Sequence, residues 1–126
     1  MSVQDIISDF VSRVNNAQLA GHTMVSVNKS NLVADVCKKL TKLKYFESFS
    51  EIENNQIEIQ INETVLYKLI RVSKPGKRFY TSAKKFPVIL NGFGYNIVTT
   101  SKGILTHIEC MKQNLGGEVL LQAIKA

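Results

Sequence analysis

Apolar residues recur at helical spacing from about residue 3 to 19, with Ile6, Phe10 and Val14 in line and Ile7, Val11 and Leu19 beside them. Ser2-x-x-Asp5 reads as a capping signal ahead of this helix, and Gly21 ends it. "TMVSV" predicts a short strand. Ser30 or Asn31 opens a second helix whose apolar stripe is Leu32, Val36, Leu40 and Leu43, with Lys38, Lys39, Lys42 and Lys44 on its other face and its end. Residues 45–53 and 56–62 form a hairpin around Asn54-Asn55, and "QIEIQIN" alternates strictly, one face buried and one wet. A strand over 65–73 breaks at Pro75-Gly76, and residues 79–81 are extended. Residues 84–90 are ambiguous, because Pro87 excludes a long regular helix. A strand over 95–100 follows, then a helix opened by the capping box Thr106-x-x-Glu109, and a last strand from Val119 to Ile124 led by Glu118. Helices and strands are intermixed in each half. The pattern predicts an α+β fold of two small lobes, residues 1–63 with helix, strand, helix and hairpin, and residues 64–126 mostly β with one short helix.

Composition sharpens this picture in three places. The chain has 126 residues, of which 44% are hydrophobic, enough for one compact unit or two small lobes. No apolar run approaches the roughly 20 residues of a membrane-spanning helix. No import or signal segment is expected from the polar, acidic start "MSVQDIISDF". The cysteines, Cys37 and Cys110, lack metal-type spacing and read as free, partly buried thiols in a reducing compartment.

Charge divides the lobes. Residues 1–62 hold six cations against seven acids, whereas residues 63–126 hold ten cations against Glu63, Glu109 and Glu118. A positive field on one half points to a polyanionic partner there, against the plainer reading of a basic surface kept for solubility.

Two motifs fall in that half. "RVSKPGKRFY", residues 71–80, sets Arg71, Lys74, Lys77 and Arg78 around Pro75-Gly76 and closes on Phe79 and Tyr80. Cations neutralise phosphates and flat rings stack on bases, though a plain hairpin turn has the same sequence. "TTSKG", Thr99 to Gly103, offers hydroxyls, a cation and backbone amides to phosphate or ribose. It is not a P-loop, which needs glycines before the lysine, and a solvated polar turn is the alternative. Glu118, a lone acid among cations, reads as a salt-bridging or capping group, or as an acceptor for base amino groups. Catalysis gains little: Ser82-x-x-Lys85 lacks its companion motifs, His22 and His107 lie far apart, and no carboxylate or Cys/His cluster suggests a metal or cofactor.

These blocks in this order resemble the small ribosomal subunit protein eight family in its bacterial or organellar form. "QDIISDFVSRVNNA" resembles the family's opening helix, "RVSKPGKRFY" its central basic turn, "LNGFGYNIVTTSKGILT" its most recognisable stretch, and "NLGGEVL" its closing glycine pair and glutamate. The resemblance implies a structural, non-enzymatic protein that binds the central domain of small-subunit ribosomal RNA, helps platform assembly for translation and sits as a monomer beside neighbouring small-subunit proteins. Its RNA-facing residues would be Thr99, Thr100, Ser101, Lys102, Gly103 and Glu118, the turn residues Lys74, Pro75, Gly76, Lys77, Arg78 and Tyr80, and Arg13, Asn16 and Ser30 of the N-terminal lobe.

The chain departs from the family pattern mainly in that lobe. Asn28-Lys29-Ser30-Asn31-Leu32-Val33 stands where Pro-Ser-Ser-Lys-Leu-Lys is usual, and Leu43-Lys44 where Glu-Gly is usual; in the last helix, Cys110-Met111 replaces Ala and Arg. Divergence of this kind, with an Asn-, Lys- and Ile-rich composition, favours a mitochondrial ribosome in the matrix, the protein being encoded inside the organelle, over a bacterial cytoplasm. Rival readings are a free RNA-binding translational regulator using the same surface and, more weakly, an enzyme built on Ser82 with Lys84 or Lys85.

Overall fold

A computed structural model describes residues 3–62, 64, 67–74, 77, 79–82 and 94–125. It divides into two compact units, Met1–Leu66 and Tyr67–Ala126. The described residues form three helices and two antiparallel sheets, the mixed α+β class the pattern predicts. None of these helices is long and apolar enough to cross a membrane.

In unit 1, α1 (Val3–Leu19) buries Ile7, Phe10, Val11, Val14 and Ala17. Leu19 is not part of this stripe: it is 87% exposed, because five residues beyond Val14 the helix has turned it well off the buried side. Gly21, at φ +76, ends the helix while the amide of His22 donates to the Ala17 carbonyl, a closure that favours glycine. After β1 (Met24–Asn28), α2 (Asn31–Lys42) starts at Ser30, whose Oγ accepts from the Val33 amide at 3.1 Å. Its buried stripe is Val33, Val36, Cys37 and Leu40, while Leu32 and Leu43, expected on it, are only half-buried. The expected stripe is therefore rotated, because Val33 and Cys37 complete the arc through Val36 and Leu40.

Strands β2 (Phe46–Ile52) and β3 (Gln56–Ile61) join β1 in the order β1-β3-β2. Asn54 and Asn55 take φ values of 66° and 54°, as the hairpin reading requires. Ile57, Ile59 and Ile61 face the core, where α1 packs on β1 and α2 on β2. Phe10 meets Phe46 edge-on, with ring centroids 6.2 Å apart. Lys44 takes φ 69, a conformation that favours glycine. Its carbonyl accepts from Asn62 Nδ2 at 2.9 Å.

Unit 2 is built on its last strand. The described strands are β4 (Tyr67–Arg71), β5 (Tyr80–Thr81), β6 (Gly94–Thr100), β7 (Gly103–Thr106) and β8 (Gly117–Lys125). They run in the order β4-β8-β6-β7, with β5 also on β8. Ile104 and Leu105, to which the sequence pattern assigns no element, lie in strand β7 and pair with Thr99 and Val98, so "TTSKG" is the tip of a β-hairpin. Helix α3 (His107–Gln113) opens with the full capping box: Thr106 Oγ1 accepts from the Glu109 amide at 3.2 Å and the Glu109 carboxylate accepts from the Thr106 amide at 3.2 Å. The helix packs on β6 and β7 over Val98, Leu105, Cys110 and Val119. Cys37 and Cys110 are both fully buried and free, rather than partly buried. Burial pushes the Cys37 thiol up to about 12.

Candidate nucleic-acid interface

The glycine pair before Glu118 decides how closely strands can approach β8. A Cβ at Gly116 would lie 2.5 Å from the Thr81 carbonyl oxygen, and one at Gly117 would strike the Thr99 carbonyl oxygen. Both obstacles are backbone, so they cannot swing aside. With hydrogen there instead, β5 and β6 close on opposite edges of β8, and Glu118 stands in register with Tyr80 on one side and Thr99 on the other. Directly paired residues point to the same face of a sheet. Tyr80, Glu118 and Thr99 therefore form one cross-strand row, in which Tyr80 is 63% exposed, Thr99 half-buried and Glu118 only 4% exposed. Glu118 is thus largely covered by its neighbours.

The basic turn is riveted to the same strand by a residue that the sequence did not single out. Ser73 is buried; its Oγ donates to the Val119 carbonyl at 2.8 Å and accepts from the Phe79 amide at 2.9 Å. The Val119 amide in turn donates to the Phe79 carbonyl at 2.9 Å. Between these anchors Lys74 and Lys77, both exposed, exchange two backbone hydrogen bonds of 3.0 and 2.9 Å. A lone serine between valine and lysine carries no pattern, which is why the sequence hid its role. Pro75, Gly76 and Arg78 lie outside the described residues, as do Lys84, Lys85 and the ambiguous stretch 84–90.

The hairpin tip divides its hydroxyls between two jobs. Thr100 Oγ1 accepts from the Lys102 amide at 3.1 Å and donates to the Gly103 carbonyl at 2.8 Å, so it shapes the turn. Gly103 closes it at φ +104, a conformation that favours glycine. Ser101 and Lys102 are exposed, and among the described residues their side chains take no hydrogen-bond or ionic partner. Both hydroxyl and ammonium are left to solvent or a ligand.

The unit 1 candidates sit differently. Arg13 Nε lies 3.1 Å from both Asp9 carboxylate oxygens and its Nη1 donates to the Ser26 carbonyl at 3.4 Å. Ser30 is the cap of α2, and Asn16 is exposed on α1. Within unit 2, by contrast, one strand gathers Tyr80, Glu118, Thr99 and the anchored Lys74–Lys77 turn.

Little here serves catalysis. His107 Nδ1 accepts from the Asn96 amide at 3.1 Å, and burial holds its pKa below the ordinary histidine value. Asn96 itself is buried and accepts from Gln122 Nε2 at 2.9 Å, so the imidazole belongs to a structural network. Among the described residues no group of His, Cys, Asp and Glu could hold a metal ion. The arrangement can instead present a cation, a hydroxyl and a flat ring around β8.

The family model for ribosomal protein S8 matches residues 5–123. The small ribosomal subunit protein uS8 of Streptococcus agalactiae is 39% identical over 128 residues, covering 95% of this chain and 97% of the relative. That of Rhodopseudomonas palustris is 38% identical with the same coverage. The uS8c protein of Phaeodactylum tricornutum is 36% identical over 127 residues, covering 94% of this chain and 96% of the relative. A match along nearly the whole chain, glycine pair and hairpin tip included, means that this chain belongs to the ribosomal protein S8 family.

Proposed function

We propose that this chain is a structural component of the small ribosomal subunit and that it holds ribosomal RNA with the β5–β8–β6 region of unit 2. The family is structural, not enzymatic. The observation that carries the reading is the division of labour at the hairpin tip. Thr100 builds the turn, whereas Ser101 and Lys102 stand free beside the row that holds exposed Tyr80. A regular RNA helix has a major groove too deep and narrow for side chains to read. A surface with hydroxyls and one ring suits a distorted helix, read through its riboses, backbone and any splayed base. Lys74, Lys77, Arg78 and Lys102 supply the salt-dependent attraction.

The expected target is the central domain of small-subunit ribosomal RNA, where the protein would help platform assembly as a monomer beside neighbouring ribosomal proteins. The composition supports a mitochondrial ribosome over a bacterial one. The test is a salt titration of binding to a central-domain RNA fragment, beside a scrambled duplex of equal length. Tighter binding to the fragment that persists at high salt supports the reading. Equal binding that collapses with salt overturns it and returns "TTSKG" to an ordinary polar turn. Cofractionation with small subunits in high salt separates this role from that of a free translational regulator.

A further inference from the structure

The outward side of α2 carries charge that the fold of unit 1 does not use. At about 3.6 residues per turn, positions 31, 35, 38 and 42 line the side opposite the buried stripe Val33, Val36, Cys37 and Leu40. Asn31, Asp35, Lys38 and Lys42 are all exposed, and Lys44 is exposed just past the helix end. Asp35 lies toward the N-terminal half, where the helix dipole suits an anion. The C-terminal half of the stripe is purely cationic.

Two other cations of unit 1 are held by carboxylates: Arg13 by Asp9 at 3.1 Å, and Lys29 by Glu51 at 2.9 Å. Among the described residues no ion pair involves Lys38, Lys42 or Lys44. The helix dipole gives Lys42 a local use, but Lys44 lies beyond the helix and Lys38 precedes the last-turn cations.

We propose that this face, Lys38 and Lys42 with Lys44, is a second phosphate-binding surface for ribosomal RNA, on unit 1. The inference rests on the RNA-binding function proposed above. Lysine is depleted from protein–protein interfaces, and this stripe has no aromatic or arginine anchor, so an acidic protein is the poorer fit. Lysine is a compact point charge on a flexible stem, which serves a phosphate without demanding a fixed fork geometry. Lys38 and Lys42 rise about 6 Å apart along the helix axis, so they can engage separate phosphates of one strand.

The test uses the full chain and the central-domain fragment, with two double variants that each remove two charges. Glutamine is a good helix former, so Lys38→Gln with Lys42→Gln should keep the fold, checked by circular dichroism and thermal melting. The expected result is a fall of about 1.5 units in the salt slope for this variant, with a clearly smaller fall for Lys68→Gln with Lys112→Gln. An unchanged slope, with the wild type still preferring the fragment, overturns this surface and leaves the unit 2 interface standing. So do equal falls in both variants, which would mean net charge alone. No preference by the wild type for the fragment over the scrambled duplex overturns both proposals together.

Discussion

The two units use the same kinds of side chain for different ends. In unit 1, Ser30 is a helix cap, Arg13 is tied to Asp9 and Lys29 to Glu51. In unit 2, Thr100 and Ser73 do the structural work, and Ser101, Lys102, Lys74 and Lys77 stay exposed around one strand. A serine or an arginine in a sequence motif is therefore not a contact until its own fold has been satisfied. Unit 2 keeps groups available because Ser73 and Thr100 satisfy the backbone of the turns beside them. Among the described residues of unit 1, Lys38, Lys42 and Lys44 on the outer side of α2 and just past its end take no ion-pair partner.

The largest effect that could break this contrast is at the glycine pair. Gly117→Val should destabilise unit 2 by about 3 kcal/mol, since the new side chain meets backbone that cannot move. Denaturant unfolding measures it, and a change under 1 kcal/mol by that assay would mean β6 does not close on β8 as described. Next, Ser73→Ala should cost about 2 kcal/mol, because the Phe79 amide and Val119 carbonyl both lose a buried partner. Faster hydrogen exchange at Phe79 should accompany it.

The hairpin tip separates binding from stability more finely. Ser101→Ala should weaken specific RNA binding by about 1 kcal/mol while leaving thermal stability and the salt slope alone. Lys102→Gln and Lys74→Ala should each flatten the slope by about one unit. Arg13→Gln should flatten it less, because its guanidinium must first leave Asp9. An equal drop for Arg13 would erase the distinction between the units.

Two smaller effects concern the frame. Lys44→Gly should stabilise unit 1 by about 1 kcal/mol or less in a thermal melt, since φ 69 burdens lysine but not glycine. For His107, burial lowers the folded-state pKa, so the folded form binds its proton less readily than the unfolded chain. Stability is full above about pH 6.5 and declines as the pH falls through the lowered folded value. His107→Asn, which keeps an acceptor for the Asn96 amide, should flatten that acid-side slope.

Period and punctuation in the sequence determined most of the elements. The Asn54-Asn55 turn, Gly21 after α1 and the Thr106–Glu109 box act through bonds between near neighbours, the alternation of residues 56–61 through its period of two, and all appear as expected. The charge imbalance and the motif blocks likewise pointed to the second half and to the family. Tertiary structure decided the rest, because it depends on which distant backbones meet. Val33 and Cys37 joined the buried stripe of α2 according to what that helix packs against. Ile104 and Leu105 became a strand only because Thr99 and Val98 lay opposite. Ser73, an unremarked serine, became the anchor of the basic turn through a strand 46 residues later. Glu118 is buried because two strands close on either side of it, beside the glycines that allow their approach. Residue type and spacing say what a side chain can do. Only the meeting of remote strands says which hydroxyls and charges are left over to do it.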